Sequence, residues 1–430
     1  MRGDCALLTL GCKVNQYESQ EMREQLESAG YKIVDAGGDA DLFVVNTCAV
    51  TRTAEKKCRQ VIRRVAARCP KAAIVVTGCM AQKAGAALKR LSERLIILGN
   101  AEKEDLLPYL TEDVSCATAG LSNCRSYRGR GIDNWNGRAR AFVKIQDGCN
   151  RNCAYCLVPQ VRGRPRSRPA QVAYDEIKRL AGKGFKEVVL TGIHLGLYNE
   201  REGDGLAEFL SRLPDIEGIV NIRLSSIEPT DFTPDLLNVI KSDNRICNHM
   251  HIPLQHGSDR ILGMMQRPYA ANDYARVIDS LRAVRPGLAL TTDVMVGFPG
   301  EDDAAFEESL SFIRRMRFAG LHIFRYSRRP DTPAAVMPNQ VSEKIKSARA
   351  KQMAQTADDI TDAYLASILN EKLRLVVEKI DNSLCIGRTD RYVEAEVDFQ
   401  PDFSIGDVIS VRALSKNNGR LLGKALKKVL

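Results

Sequence analysis

Three short apolar runs near the start of the chain each end in a cysteine. "CALLTLGC" closes on Cys12, "DLFVVNTC" on Cys48 and "AAIVVTGC" on Cys79. Polar helical patterns lie between and after these runs, at about Gln16 to Ala29, Ala54 to Arg68 and Gln82 to Arg90. Continuous apolar strands alternating with helices predict a parallel sheet covered on both faces. In such a sheet the carboxyl ends of the strands form one edge, and ligands bind there. A single one of these cysteines would read as a small buried hydrophobe. Three at the same topological position read as ligands converging on one group.

A fourth run, "LIILG", completes this α/β region, residues 1–115. Residues 116–138 carry Gly, Ser, Asn and Arg without periodicity and read as a linker. From Ala141 the alternation resumes, with "FVKIQ", "KEVVLTG", "VNIRLSS", "HMHIPL", "LALTTDVMV" and "GLHIF" as strands. Amphipathic helices such as "PDLLNVIKS" lie between them. Six β/α units over residues 139–340 predict a partial parallel barrel. A charged helical arm occupies 341–370. The remainder, 371–430, contains "KLRLVVEKI", "SLCIGRTD", "YVEAEVD" and "DVISVRAL", short strands with turn signals that predict a small β-barrel. The expected fold is therefore α/β: a doubly wound parallel-sheet domain, a partial (β/α)6 barrel and a small C-terminal all-β barrel.

A chain of 430 residues needs two or three such domains. It has no apolar run long enough to span a bilayer, and its start is too polar for a signal peptide, so a cytoplasmic location is expected. Thirteen cysteines, an odd number spread along the chain, argue against a disulfide framework. In a reducing compartment clustered thiols more often bind metal. The formal charge of +10 permits an anionic partner such as RNA without requiring one.

A second cysteine group sits in "DGCNRNCAYC", directly after the first barrel strand: Cys149, Cys153 and Cys156. Parallel β/α folds place ligands at that rim, and three close thiolates suit a soft metal. The spacing differs from the usual zinc C-x2-C pair. With Tyr155 before the last cysteine, this triplet resembles the signature of radical S-adenosylmethionine (SAM) enzymes. The resemblance implies a 4Fe–4S cluster on three cysteines, with SAM chelating the fourth iron.

Two cysteine trios followed by a small β-barrel resemble the methylthiotransferases along essentially the whole chain: an N-terminal methylthiotransferase domain, a radical SAM core and a C-terminal TRAM domain, the last resting on "GRTDRYVEAEV". "TLGCKVNQYES", "KIQDGCNRNCAYC", "TGIHLGLY", "RLSSIEP" and "HIPLQHGSD" look like the branch that modifies N6-threonylcarbamoyladenosine in tRNA, 3′ to the anticodon. The isopentenyladenosine branch typically has Gln-Met where this chain has Lys13 and Val14, and the ribosomal-protein branch Pro-Lys. Arg325 and Asp331 stand where the family often has proline and glycine.

The resemblance implies two 4Fe–4S clusters, an auxiliary one on Cys12, Cys48 and Cys79 and a radical-generating one on Cys149, Cys153 and Cys156. One SAM methylates a sulfur carried by the auxiliary cluster, and a second yields the radical that opens adenine C2 to the methylthio group. An electron donor of flavodoxin or ferredoxin type and a sulfur source are implied as partners. Family motifs place SAM contacts at Thr191, Gly192, Gln255 and Asp293, with Glu228 a further polar rim residue. The glycines also fit simple turns, and His194, His249, His251 and His256 are rim candidates. Arg162, Arg164, Arg166 and Arg168 form an acid-free run after the triplet, and Lys416, Arg420 and Lys424 belong to another in the tail; both read as RNA contacts or as solvated basic faces. The arginines after the triplet could instead anchor SAM or the rim loop. Cys5, Cys58, Cys69, Cys116, Cys124, Cys247 and Cys385 show no ligand grouping, although Cys116 and Cys124 are near enough in sequence to pair. A non-catalytic, metal-stabilised RNA-binding protein would explain the thiols and the basic tail, but not two trios that each lack a fourth ligand, since structural sites are usually closed.

Overall fold

The computed structural model describes residues 3–111, 114–121, 129–200, 203–381 and 383–429; Cys124 lies outside them. The N-terminal region is a six-stranded sheet: β1 (Asp4–Thr9), β2 (Lys32–Ile33), β3 (Leu42–Thr47), β4 (Ala73–Gly78), β5 (Leu95–Leu98) and β6 (Cys116–Ala117). Its spatial order is β2-β1-β3-β4-β5-β6, and every pair is parallel. All six residues of β3 are buried, as a central strand covered on both faces requires. The order of strands reverses between β1 and β3, which is where such sheets open a crevice for ligands. Three helices follow the three cysteine-ended strands: α1 (Lys13–Ser28), α2 (Arg52–Arg68) and α3 (Cys79–Ala84). Thr51 caps α2 by accepting from Ala54 N. The third helix departs from expectation. It begins on Cys79 itself, and Gly85, at φ +48°, breaks it into a 3₁₀ segment, Gly85–Leu91.

The presumed linker is partly core. Ile132 and Trp135 are buried, with Trp135 packed between Tyr17 of α1 and Phe142. Phe142 lies on β7 (Ala141–Lys144), which leads into a short antiparallel ribbon of β8 (Gln146–Asp147) and β9 (Arg166–Ser167). Between these two strands runs α4 (Val158–Arg162). The other barrel strands are β10 (Glu187–Thr191), β11 (Asn221–Leu224), β12 (His249–His251), β13 (Ala289–Val296) and β14 (Gly320–Arg325). They form two parallel halves, β11-β10-β7 and β12-β13-β14, joined by a parallel bridge from Ile222 to Ile246. The six-stranded barrel stays open between β7 and β14.

The N-terminal domain covers that opening. On the β7 side Tyr17 OH bonds Glu176 at 3.0 Å. On the β14 side Arg52 N donates to Ser327 Oγ at 3.1 Å, and Glu55 pairs with Arg329. A helix, Glu343–Ser367, then leads to a closed barrel of β15 (Lys372–Asp381), β16 (Leu384–Thr389), β17 (Glu394–Asp398), β18 (Val408–Asn417) and β19 (Arg420–Lys428). The last strand pairs parallel with β17 and antiparallel with β18. The tail read as a basic run thus spans the end of β18, with Lys416, and β19, which closes the barrel.

Candidate active site

The triplet is delivered by a turn that only glycine can make. Gly148 has φ +75°, and a Cβ there would lie 2.1 Å from the Arg164 carbonyl oxygen. Cys149 N then donates to Gly163 O at 3.0 Å, and Cys156 N to Cys153 O at 3.0 Å. Cys149 Sγ lies 3.6 Å from His194 Nδ1, and Cys153 Sγ accepts from Arg267 Nη1 at 3.3 Å. The three cysteines line one cavity of about 250 Å³. Burial pushes the Cys156 thiol up to about 12 and raises Cys153 as well. A thiolate in this place therefore calls for a cation beside it, which a bound metal supplies.

Glu228, Gln255 and Asp293 line the same cavity. Gln255 sits at φ +72°, fixed because its N donates to Asp293 O at 2.8 Å and its O accepts from Met295 N at 2.7 Å. Such enforced conformations concentrate at functional sites. Thr191 ends β10 and is buried, and a Cβ on Gly192 would meet Gln146 at 2.9 Å. From that loop Ile193 and His194 reach the cavity wall.

Two polar groupings were missed in the sequence. Arg267 pairs with Glu228 and bonds Tyr269 OH; a lone arginine in "QRPY" gives no signal of this. His194, noted as a rim candidate, has Asp231 on its other nitrogen. Burial opposes charge on that ring, yet hydrogen bonds to Asp231 and Cys149 raise it to about 9. His251 Nε2 is 3.2 Å from Asp293, whereas His249 and His256 are buried.

The second trio follows from the sheet. Cys12, Cys48 and Cys79 follow β1, β3 and β4, three adjacent strands. Gly11 has φ +124°, and a Cβ there would come within 3.1 Å of Cys48 Cβ, so the Cys12 and Cys48 loops lie in contact. Asn15 Nδ2 ties them by donating to Leu10 O at 2.9 Å and Thr47 O at 3.0 Å. Burial pushes the Cys48 thiol up to about 12. Cys58 packs behind it as a structural thiol, receiving Cys48 N at 3.4 Å.

The arginines after the triplet are not surface residues. Arg162, Arg166 and Arg168 are buried, and only Arg164 is exposed. Arg162 donates to Glu18 at 2.8 Å, Asp147 at 3.0 Å and Asn15 Oδ1 at 2.7 Å. Arg166 bonds Asp147 at 3.3 Å, and Arg168 bonds Glu176 at 2.5 Å. Lys144 and Lys103 add bonds to Glu18 of 2.8 and 2.6 Å. RNA contact is thereby excluded for these three side chains; they join the two domains. The positive charge of Arg162 also reaches Cys12 and Cys79. Only the short α4 segment separates Cys156 from Arg162 in the chain, so Arg162 links the loop of the triplet to the cysteines of the N-terminal sheet. In the tail, Lys424 is exposed, but Arg420 pairs with Glu394 and Glu396 at 2.7 Å and Lys416 with Asp362. The tail is acid-free in sequence, not in space.

Among the described residues, no three His, Cys, Asp or Glu side chains close around a single metal ion. Both trios are all-sulfur and open. That donor set fits an iron–sulfur cluster, in which each iron takes its own thiolate, better than a lone zinc ion.

Residues 143–313 match the radical SAM superfamily, and residues 4–99 match a family described only as uncharacterized protein family UPF0004. The structure resembles the radical S-adenosylmethionine methyltransferase TsrM from Kitasatospora setae (TM-score 0.58, 15% identity, covering 77% of this chain and 75% of that one), a likeness of fold alone. An open parallel barrel with this cysteine triplet at its rim defines a radical SAM enzyme. The threonylcarbamoyladenosine tRNA methylthiotransferase MtaB of Bacillus subtilis is 38% identical, over 95% of this chain and 93% of its own length. Its counterpart in Thermotoga maritima is 37% identical over 90% of each. The tRNA-2-methylthio-N(6)-dimethylallyladenosine synthase of Moorella thermoacetica reaches 35% over 89% of each. The chain belongs to the radical SAM methylthiotransferases, of the MtaB type.

Proposed function

We propose that this enzyme adds a methylthio group to C2 of N6-threonylcarbamoyladenosine at position 37 of tRNA, in the cytoplasm. The observation that carries this reading is the pair of open cysteine trios held by α4 and Arg162 at one junction between domains. Two such sites suit a reaction that must both generate a radical and hold the sulfur to be delivered. Cys149, Cys153 and Cys156 would hold one 4Fe–4S cluster, and Cys12, Cys48 and Cys79 a second. When bound, these clusters and SAM supply the radical and the sulfur that an unactivated C–H bond requires, and the protein supplies position. Glu228, Gln255 and Asp293 line the cavity where SAM would be oriented, and the loop that Thr191 and Gly192 begin carries Ile193 and His194 to its wall. Burial raises the Cys12 thiol, and the positive charge of Arg162 beside it offsets part of that rise. The C-terminal barrel, read as a TRAM domain, and its exposed Lys424 would contact the tRNA backbone. A flavodoxin- or ferredoxin-like reductant and a sulfur source complete the partners.

Nucleoside analysis of tRNA from cells with and without the gene tests this reading. Loss of the methylthio form with accumulation of threonylcarbamoyladenosine supports it. Accumulation of dimethylallyladenosine instead would reassign the substrate.

A further inference from the structure

Tyr392 sits where three domains meet. It belongs to the C-terminal barrel, between β16 and β17, and holds φ +63°, a conformation bulky residues rarely adopt. Its ring stacks on His249 of β12, with centroids 4.7 Å apart. Arg388 lies 4.7 Å from the ring centroid, Arg223 of β11 5.2 Å, and Lys13 of α1 5.6 Å. Burial alone would push this phenol up, but Lys13, Arg388, Arg140 and Arg223 together bring it below its ordinary value. The place favours negative charge.

Three of these cations already have counter-ions. Arg223 pairs with Glu187 at 2.8 Å, Arg140 with Glu378 at 2.6 Å, and Arg388 with Glu394 at 3.6 Å. Lys13 has none among the described residues; its one contact is the face of Tyr392. Lys13 follows Cys12 in the chain, and its charge reaches His249 and His322, the second of which lies on β14. His322 lies 5.5 Å from the ring of His251, which contacts Asp293 of the triplet cavity. Lys13, one residue past Cys12, therefore reaches from the N-terminal domain to the Tyr392 junction, beside Arg223 and His249 of the barrel.

The threonylcarbamoyl substituent ends in a free carboxylate; a dimethylallyl group has no charge. We propose that Lys13 receives this carboxylate, with Tyr392 holding the ammonium in place, and so selects adenosines with a negatively charged N6 substituent. The proposal rests on the substrate reading above and deepens it.

The test uses the cluster-loaded enzyme and anticodon stem-loops whose threonylcarbamoyl group ends in the acid or in its primary amide. Binding is measured by fluorescence anisotropy for the parent, Lys13→Met and Lys13→Arg, each checked for parental iron content. The parent should prefer the acid by tenfold or more. Lys13→Met should lose that preference by weakening acid binding alone, and Lys13→Arg should keep most of it. Equal weakening of both ligands in Lys13→Met, or a parent that methylthiolates the acid stem-loop without preferring it over the amide, overturns the role of Lys13. A parent that gives no methylthio product from the acid stem-loop, yet converts the dimethylallyl one, overturns the substrate reading itself.

Discussion

Glu21 shows what one buried carboxyl can cost. It lies on α1 facing the barrel and accepts from Gly131 N at 3.1 Å, and burial pushes it up to about 7. An unfolded glutamate titrates near ~4.3, so the folded state binds this proton more tightly. The resulting stability is fully present below ~4.3 and is lost as pH rises through about 7. Glu21→Gln, which keeps an acceptor for Gly131, should therefore stabilise the protein at pH 8 by on the order of 3 kcal/mol and change little at pH 4. Urea unfolding at the two pH values checks this; an equal effect at both would show that Glu21 does not titrate as described. Arg162 lies at the opposite extreme. Arg162→Leu strips Glu18 and Asp147 of a shared partner and should cost about 3 kcal/mol, read as lower urea resistance and, on the proposed second cluster, as a lower iron content. The cysteines were legible because each follows a strand whose direction the pattern fixes. The roles of the arginines were not, because Arg162 meets Glu18 from 144 residues away, and only folding brings that acid near.

At the scale of elements, strands were legible and endings were not. The six barrel strands fall where apolar runs stand, since burial on both faces leaves an unbroken signal. β19 escaped notice because only Leu421 and Ala425 are buried in the core, while Arg420, Leu426 and three lysines are exposed. Its role is nevertheless large. Ending the chain before Arg420 would bare the edges of both β17 and β18. Such a truncation should open the small barrel and make residues from about 372 onward sensitive to protease while the first two domains persist; a protease-resistant barrel would show that β19 is dispensable. The loop after β14 offers a milder case. Asp331 holds φ +70° and makes an exposed contact with Lys83 at 3.4 Å. Asp331→Gly removes a left-handed strain of about 1 kcal/mol and loses a surface pair worth ~0–1 kcal/mol, so its melting temperature should stay equal or rise slightly.

The molecule as a whole depends on surfaces that no single domain reveals. Arg223, deep in the radical SAM barrel, donates to the carbonyls of Thr389 and Asp390 in the C-terminal domain. Removing residues 372–429 should thus weaken tRNA binding and also destabilise the barrel it leaves behind. A subtler probe is Lys424→Ala, which removes an exposed charge and should reduce the log–log salt slope of tRNA binding by roughly 0.7–0.9. Arg420→Ala should change it less, because Glu394 and Glu396 already screen that charge; equal slopes for both variants would mean that this face does not meet phosphate. The buried ions between the first two domains carry a consequence for anyone who recombines such proteins. Glu18 and Lys103 come from one side, Lys144, Asp147 and Arg162 from the other, and all are nearly dry. A chimera that joins this N-terminal domain to a distant relative's barrel inherits half of a matched set and buries orphaned charges at the seam. These five residues must travel together, so inheritance, too, would treat the two domains as one unit.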